Sequence, residues 1–282
     1  MTGAIRSEIR KVFTTRLWWG MALGMAVLAA LISMGFAALV SSDAVDGGNG
    51  PGGDQGNPFA KMTVGTAQLI YNAGLIQQLT TLFPLALGTL LITSEYRHKT
   101  ISATFLSTPN RWVVLFSKMV AVAAIGAVYA VVHAAASVGG GASILAAVKH
   151  QPTLLGESQV WQSLGIGVAA FAIWMMFGFG IGMLIRNQIA AVLIGVGVAF
   201  IAQIALNILF TVKEWYSAMK WLPGNLTANM LVTSDPVEGQ QVDPATQAQY
   251  FEFWWQAGLV LLAYAVVLAA IGAFLTTRRD VT

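Results

Sequence analysis

The chain has 282 residues, 56% of them hydrophobic and only 10% charged, with a net charge of +3 and no cysteine. This composition and a mean hydropathy of +0.69 exclude an ordinary soluble domain and point to a membrane protein. Without cysteine there is no disulfide, no thiol chemistry and no Cys-based metal site. The isoelectric point near 9.3 comes from positive residues beside apolar runs, so no nucleic-acid partner is expected.

At the N-terminus, Ile5, Ile9, Val12 and Phe13 recur at helical spacing, with Arg6, Arg10, Lys11 and Arg16 on other faces. That pattern predicts an amphipathic helix in the headgroup layer, where lipid headgroups anchor it. The apolar run Leu17–Val40 follows; at about 36 Å as a helix it is long enough to cross a hydrocarbon core of roughly 30 Å. It is too long for the core of a cleaved signal peptide. From Ser41 to about Thr66 the chain is rich in Gly and Asp, which predicts a solvated loop. A second span is expected over about Leu69–Thr93, with Pro84 as a source of a kink.

The polar stretch 94–111 comes next. Glu95, Arg97 and Lys99 together would cost on the order of 8–10 kcal/mol at a membrane centre, so the segment belongs in water or at the surface. Ile101, Thr104, Phe105 and Leu106 then give a short helix with one apolar face, stopped at Pro109. A third span is expected over about Trp112–Ser137, with room to continue past Gly139-Gly140-Gly141. The apolar run from Trp161 to Val212 would be roughly 78 Å long as one helix, so it must turn back, and Arg186-Asn187-Gln188 is the polar place to do so. Residues 213–255 mix Trp215, Tyr216, Trp221 and Leu226 with polar residues around Pro223-Gly224, which suits half-buried helices at an interface. The sixth span is about Gln256–Thr276.

Six crossings place both termini on one side. That side holds Arg6, Arg10, Lys11, Arg16, Arg97, Lys99, Arg111, Lys118, Arg186, Arg278 and Arg279; the other holds Lys61, Lys149, Lys213 and Lys220. The bias assigns the termini and the Glu95 loop to the cytoplasm.

The run Glu95, Tyr96, Arg97, Thr100, Leu106, Pro109 and Arg111, with Lys118 inside the following span, resembles the intracellular loop of ABC-2-type (type V exporter-like) transporter permeases. The resemblance extends in position over nearly the whole chain, as a single transmembrane domain with an elbow helix (1–16), a coupling-helix loop (94–111) and an outer hairpin region (213–255). It implies an all-α, six-span permease subunit of an ATP-driven exporter in a bacterial plasma membrane. Its partners would be two cytoplasmic ABC ATPase subunits, which bind the ATP and Mg, and a second permease subunit, identical or related. This chain would hold no cofactor itself. Glu95, Arg97, Thr100, Phe105, Pro109 and Arg111 would couple it to the ATPase, Phe105 as an apolar plug and Glu95 in an ion pair with Arg97 or Arg111. Gln77, Gln78, Gln203 and Asn207 would line the pathway for an amphipathic or hydrophobic substrate. Without the resemblance, 94–111 reads as a basic loop of the positive side, and the polar spans as interhelical glue.

Other function classes fit less well. No GxxxxGK[ST] occurs, so any ATPase must be another polypeptide. Carriers coupled to ions or protons use buried carboxylates or repeated, broken helices, and no Asp or Glu falls well inside a span. An intramembrane enzyme would need clustered reactive groups, whereas His98, His133 and His150 fall in a loop, a span and the opposite side. His133 is expected to pack, and the spacing of Gly178, Gly180 and Gly182 is one that chance supplies among 29 glycines.

Overall fold

The computed structural model describes residues 2–40, 59, 62–98, 111–185, 187–231 and 247–278. Among these every regular element is helical. In chain order they are α1 (Thr2–Phe13), α2 (Leu17–Leu39), α3 (Val64–Tyr71), α4 (Ala73–Ile76), α5 (Leu82–Arg97), α6 (Arg111–Ala147) and α7 (Ser158–Leu184). Then come α8 (Gln188–Val196), a π-helical turn (Gly197–Ala202), α9 (Gln203–Val212), α10 (Tyr216–Met219), α11 (Pro223–Leu231) and α12 (Trp254–Arg278).

Among the described residues, five helices are long and apolar enough to cross a membrane: Leu17–Leu39, Val113–Ala147, Ser158–Leu184, Gln188–Val212 and Trp254–Leu275. Helices suit that task because each satisfies its own backbone polar groups. The reversal expected here is present between α7 and α8: α7 ends at Leu184, and the Asn187 side chain accepts from Ala190 N at 3.1 Å to start α8, while Arg186 lies outside the described residues. The third span runs on through Gly139-Gly140-Gly141 to Ala147, and Gly140 packs against the backbone of Ala30 in α2.

The second expected span departs from the sequence reading. Instead of one helix over Leu69–Thr93, the chain forms α3, α4 and α5, broken at Asn72 and again over Gln77–Thr81. Gln78 adopts a left-handed backbone (φ 61°). Thr80 N reaches back to Gly74 O (3.2 Å), and Thr81 Oγ1 donates to Gln78 O (2.7 Å). Pro84 is not the cause. It is the third residue of α5, in the first turn, where a missing N–H costs nothing. Thr80 and Thr81 are fully buried, so the irregular backbone is enclosed by protein. With α5 only 16 residues long, five long helices plus this three-piece segment replace six uniform spans.

At the centre is α7: 72% of its most apolar 18-residue stretch is buried, against 22% for the helix spanning α8–α9. Trp174, Phe171 and Phe179 of α7 are fully buried with Tyr129 of α6 and Met25 of α2. Beside α7, α5 approaches so closely that a methyl group on Gly178 would collide with the Leu85 carbonyl oxygen, and Thr89 donates to Gly178 O at 2.9 Å. Gly182 meets the Thr89 carbonyl in the same way, while Gly180 faces the backbone of α12 at Ala269. The glycine run that looked like chance is thus the seam on which both neighbours of α7 pack. Every fourth residue of α12 (Ala257, Leu261, Ala265, Ala269, Ala273) is buried, which makes one narrow stripe.

The same contacts orient the bundle. α1, the end of α5, the start of α6 and the ends of α7 and α12 share one end; α3, α4, α10 and α11 occupy the other.

Candidate functional site

At the terminus-bearing end, α1 lies across the start of α6. Lys118, whose side chain is only 4% exposed, is held between two carboxylates: its Nζ donates to Glu8 Oε2 of α1 at 2.8 Å and to Glu95 Oε1 of α5. Lys11 closes the set, 2.7 Å from Glu8 Oε1 and 3.8 Å from Glu95 Oε1. Two positive and two negative groups therefore share one partly enclosed site, where each charge has an opposite neighbour to offset its desolvation. Burial pushes the Glu8 carboxyl toward its neutral form, but Lys118 and Lys11 outweigh it and hold its pKa below 4.5. Burial likewise opposes the charge on Lys11, and Glu8 and Glu95 reverse that, raising its pKa above 10.5.

Directly beneath these charges is a cavity of about 250 Å³. Its rim carries Glu8, Lys11, Glu95 and Lys118, and its walls include Leu91, Ile92, Val122, Ile125 and Phe179. The order is regular: the apolar residues sit about one to two turns deeper along α5 and α6 than Glu95 and Lys118 do.

The opposite end is tied by neutral groups. Gln203 of α9 donates through Nε2 to Asn225 Oδ1 (3.1 Å) and accepts through Oε1 from Gly224 N (3.2 Å). Asn225 Nδ2 donates to Asn207 Oδ1 (2.8 Å) and to Met219 O (2.8 Å). Gln78, from the break between α4 and α5, presses its amide against Gly224, where a side chain of any size would meet it. A second chain of bonds runs from Asn72 Nδ2 to Ser163 Oγ (2.8 Å) and from Ser163 Oγ to Leu231 O (2.7 Å), joining the break, α7 and α11. Trp174 Nε1 donates to Thr227 Oγ1 at 2.9 Å. Near the same break, Gln78 Oε1, Thr80 Oγ1 and His133 Nε2 are buried without a hydrogen-bond partner. His133 packs on Phe171, ring centres 5.0 Å apart.

Of the pathway residues expected from sequence, Gln78, Gln203 and Asn207 converge on Gly224–Asn225; Gln77 is exposed and joins no part of this network. Of the coupling residues, Glu95 is in the ionic cluster, where its partners among the described side chains are Lys118 and Lys11 rather than Arg97; the side chain of Arg111 lies outside the described residues. Arg97 instead donates to Gln188 Oε1 (3.3 Å) at the α7–α8 reversal, because its place one helical position past Tyr96 turns it to the other side of α5. Arg111 opens α6. Thr100, Phe105 and Pro109 lie outside the described residues.

The sequence reading missed Glu8 and Lys118 as a pair, although the signal was there. A lysine inside an apolar run needs a buried counter-ion, and Glu8 is the sole acidic residue before Asp43. Asn225 stood out only as a sequon, yet both its amide atoms are engaged within the fold. No protein-family model matches the chain, and no curated protein matches it.

Proposed function

We propose that this chain is the membrane-spanning permease subunit of an ATP-driven exporter of the ABC-2 kind, working with a separate cytoplasmic ATP-binding subunit. The observation that carries the reading is Lys118 locked between Glu8 and Glu95. It fastens α1, α5 and α6 into one unit, and α5 and α6 are the helices that residues 99–110 connect in sequence, a stretch that resembles a coupling helix. A push on that segment would then be passed to three elements together rather than absorbed by one side chain. In this reading α1 is the elbow helix and both termini are cytoplasmic, in agreement with the positive residues at that end. Gln78, Gln203 and Asn207 would meet the substrate where the α10–α11 hairpin caps the path. Two copies of the ATPase would supply ATP and Mg, and a second permease subunit would complete the pathway.

A second reading, an ATP-independent carrier, draws on the break at Gln77–Thr81, since carriers place binding sites at interrupted helices. The two separate on one experiment. The protein is extracted in mild detergent and what comes down with it is identified. An ATPase bearing a Walker A motif that is lost on Phe105→Asp, with the permease still folded, is the expected result. A folded chain that reproducibly comes down alone removes the coupling assignment and leaves the carrier reading.

A further inference from the structure

We infer that the cavity under α1 is a binding site for one anionic glycerophospholipid, with an acyl chain in the cavity and the phosphate or ester oxygens on Lys11. The inference needs only that the chain is embedded in a membrane; it does not depend on the permease reading.

Three features select this ligand. First, folded interiors hold few voids larger than a water molecule, and a cavity of about 250 Å³ is room for roughly eight waters. Its deeper walls, including Leu91, Ile92, Val122, Ile125 and Phe179, offer water no hydrogen bonds. Thr15 Oγ1 and Ser94 Oγ spend their hydrogens on Val12 O and Leu91 O, so polar contacts for water are confined to the mouth, where these oxygens and Glu95 Oε2 can still accept. Such a space suits hydrocarbon.

Second, polarity changes in one direction only. Charged groups at the level of Glu95 and Lys118 give way to aliphatic ones a turn or two deeper, the arrangement that an amphiphile entering from a membrane surface presents in reverse. Third, the rim has donors to spare. Lys118 is consumed by two carboxylates, but the Lys11 side chain is 53% exposed and bonds closely only to Glu8, so ammonium hydrogens remain for an outside acceptor. The four rim charges cancel. What tips the sign is the rest of α1, where Arg10 and Arg6, about 100° and 140° around the helix from Lys11, line an open groove with Ile5 and Ile9 and add positive charge at the same membrane level. Guanidinium groups one turn apart favour a phosphate. A neutral lipid would gain nothing from that charge.

Delipidated protein is titrated with palmitoyl-oleoyl phosphatidylglycerol in mixed micelles, and retained lipid is counted by native mass spectrometry. One firmly held molecule per chain is expected for the wild type and for Val128→Trp, which adds the same bulk on an exposed position of α6. Ile125→Trp fills the cavity and should lower retention by about tenfold, a shift of roughly 1.4 kcal/mol, with an unchanged unfolding temperature. Should that variant not fold, Ala121→Leu takes its place as a smaller filling of the same wall, and Lys11→Gln tests the rim with no change in packing; each should weaken retention. Dihexanoyl phosphatidylglycerol and inorganic phosphate should not compete with the long-chain lipid. A wild type that holds no lipid overturns the site, as does a folded cavity-filling variant that holds it unchanged. Full competition by inorganic phosphate overturns the acyl-chain assignment.

Discussion

At the end of the bundle that carries the termini, Glu8, Lys11, Glu95 and Lys118 join three helices through charge; at the other end Gln203, Asn207 and Asn225 join α9 to α11 through neutral amides alone. The two arrangements differ in what they permit. A buried ammonium between two carboxylates has few alternatives, because moving it away strands charge in a poor solvent. Amides can trade partners, since each nitrogen or oxygen finds an equivalent one nearby at a net cost of about 1 kcal/mol per bond. The charged end is therefore built to move as one body and the amide end to rearrange. The segment α3–α5 touches both, with Glu95 at one end and the Gln77–Thr81 break at the other. Force entering at Glu95 would travel about 20 Å of continuous helix before it met irregular backbone.

The largest effect should come from removing the central charge. Lys118→Met leaves Glu8 and Glu95 facing each other, partly buried, with only the half-exposed Lys11 to offset two negative charges, and should cost about 3 kcal/mol in detergent unfolding. Adding Glu8→Gln and Glu95→Gln should restore most of it, because the charge that remains, on half-exposed Lys11, can turn to water. A Lys118→Met protein that unfolds like the wild type would show that the cluster holds nothing together, and the contrast between the two ends would vanish.

A smaller effect is expected at the amide end. Asn225→Leu removes three hydrogen bonds and leaves Gln203 Nε2, Asn207 Oδ1 and the Met219 carbonyl without their partner, a loss of about 2 kcal/mol. In a Gln203→Leu background the same change should cost distinctly less, since part of the network is already gone. Equal losses in both backgrounds would mean that the three amides act separately.

How much of this was legible beforehand follows the range of the interactions. Helix lengths and the reversal between α7 and α8 could be read because they depend on local hydropathy, and Asn187 supplies its own cap. The break before α5 could not. Nothing near Gln78 in sequence demands a left-handed backbone; the residue is held there by Gly224 pressed against its side chain, nearly 150 positions away. Proline drew attention to the wrong residue, because Pro84 begins a helix as readily as it kinks one. Gln203 and Asn207 share a face and were found by their spacing, whereas Asn225, which bridges them, lies in the hairpin and carries no periodic signal. The Glu95 partner was misjudged for a similar reason: Arg97 is near in sequence, but Lys118 and Lys11 are near in space.

The gentlest test separates the ends by pH. Glu8 titrates below its ordinary 4.5 in the folded chain, so its ion pairs stabilise fully at neutral pH and weaken as acid carries the pH down through that lowered value. Lys11 titrates above 10.5, so its share is complete below that and is lost only as the pH climbs through the raised value. Between these limits stability should be flat on account of both groups. Gln203, Asn207 and Asn225 do not titrate at all. Hydrogen exchange at falling pH, corrected for the intrinsic rate, should therefore show α1 opening first while α10 and α11 keep their protection. Loss of protection at both ends together would mean that acid acts on the bundle as a whole, and that the charged end is no more than one contact among many.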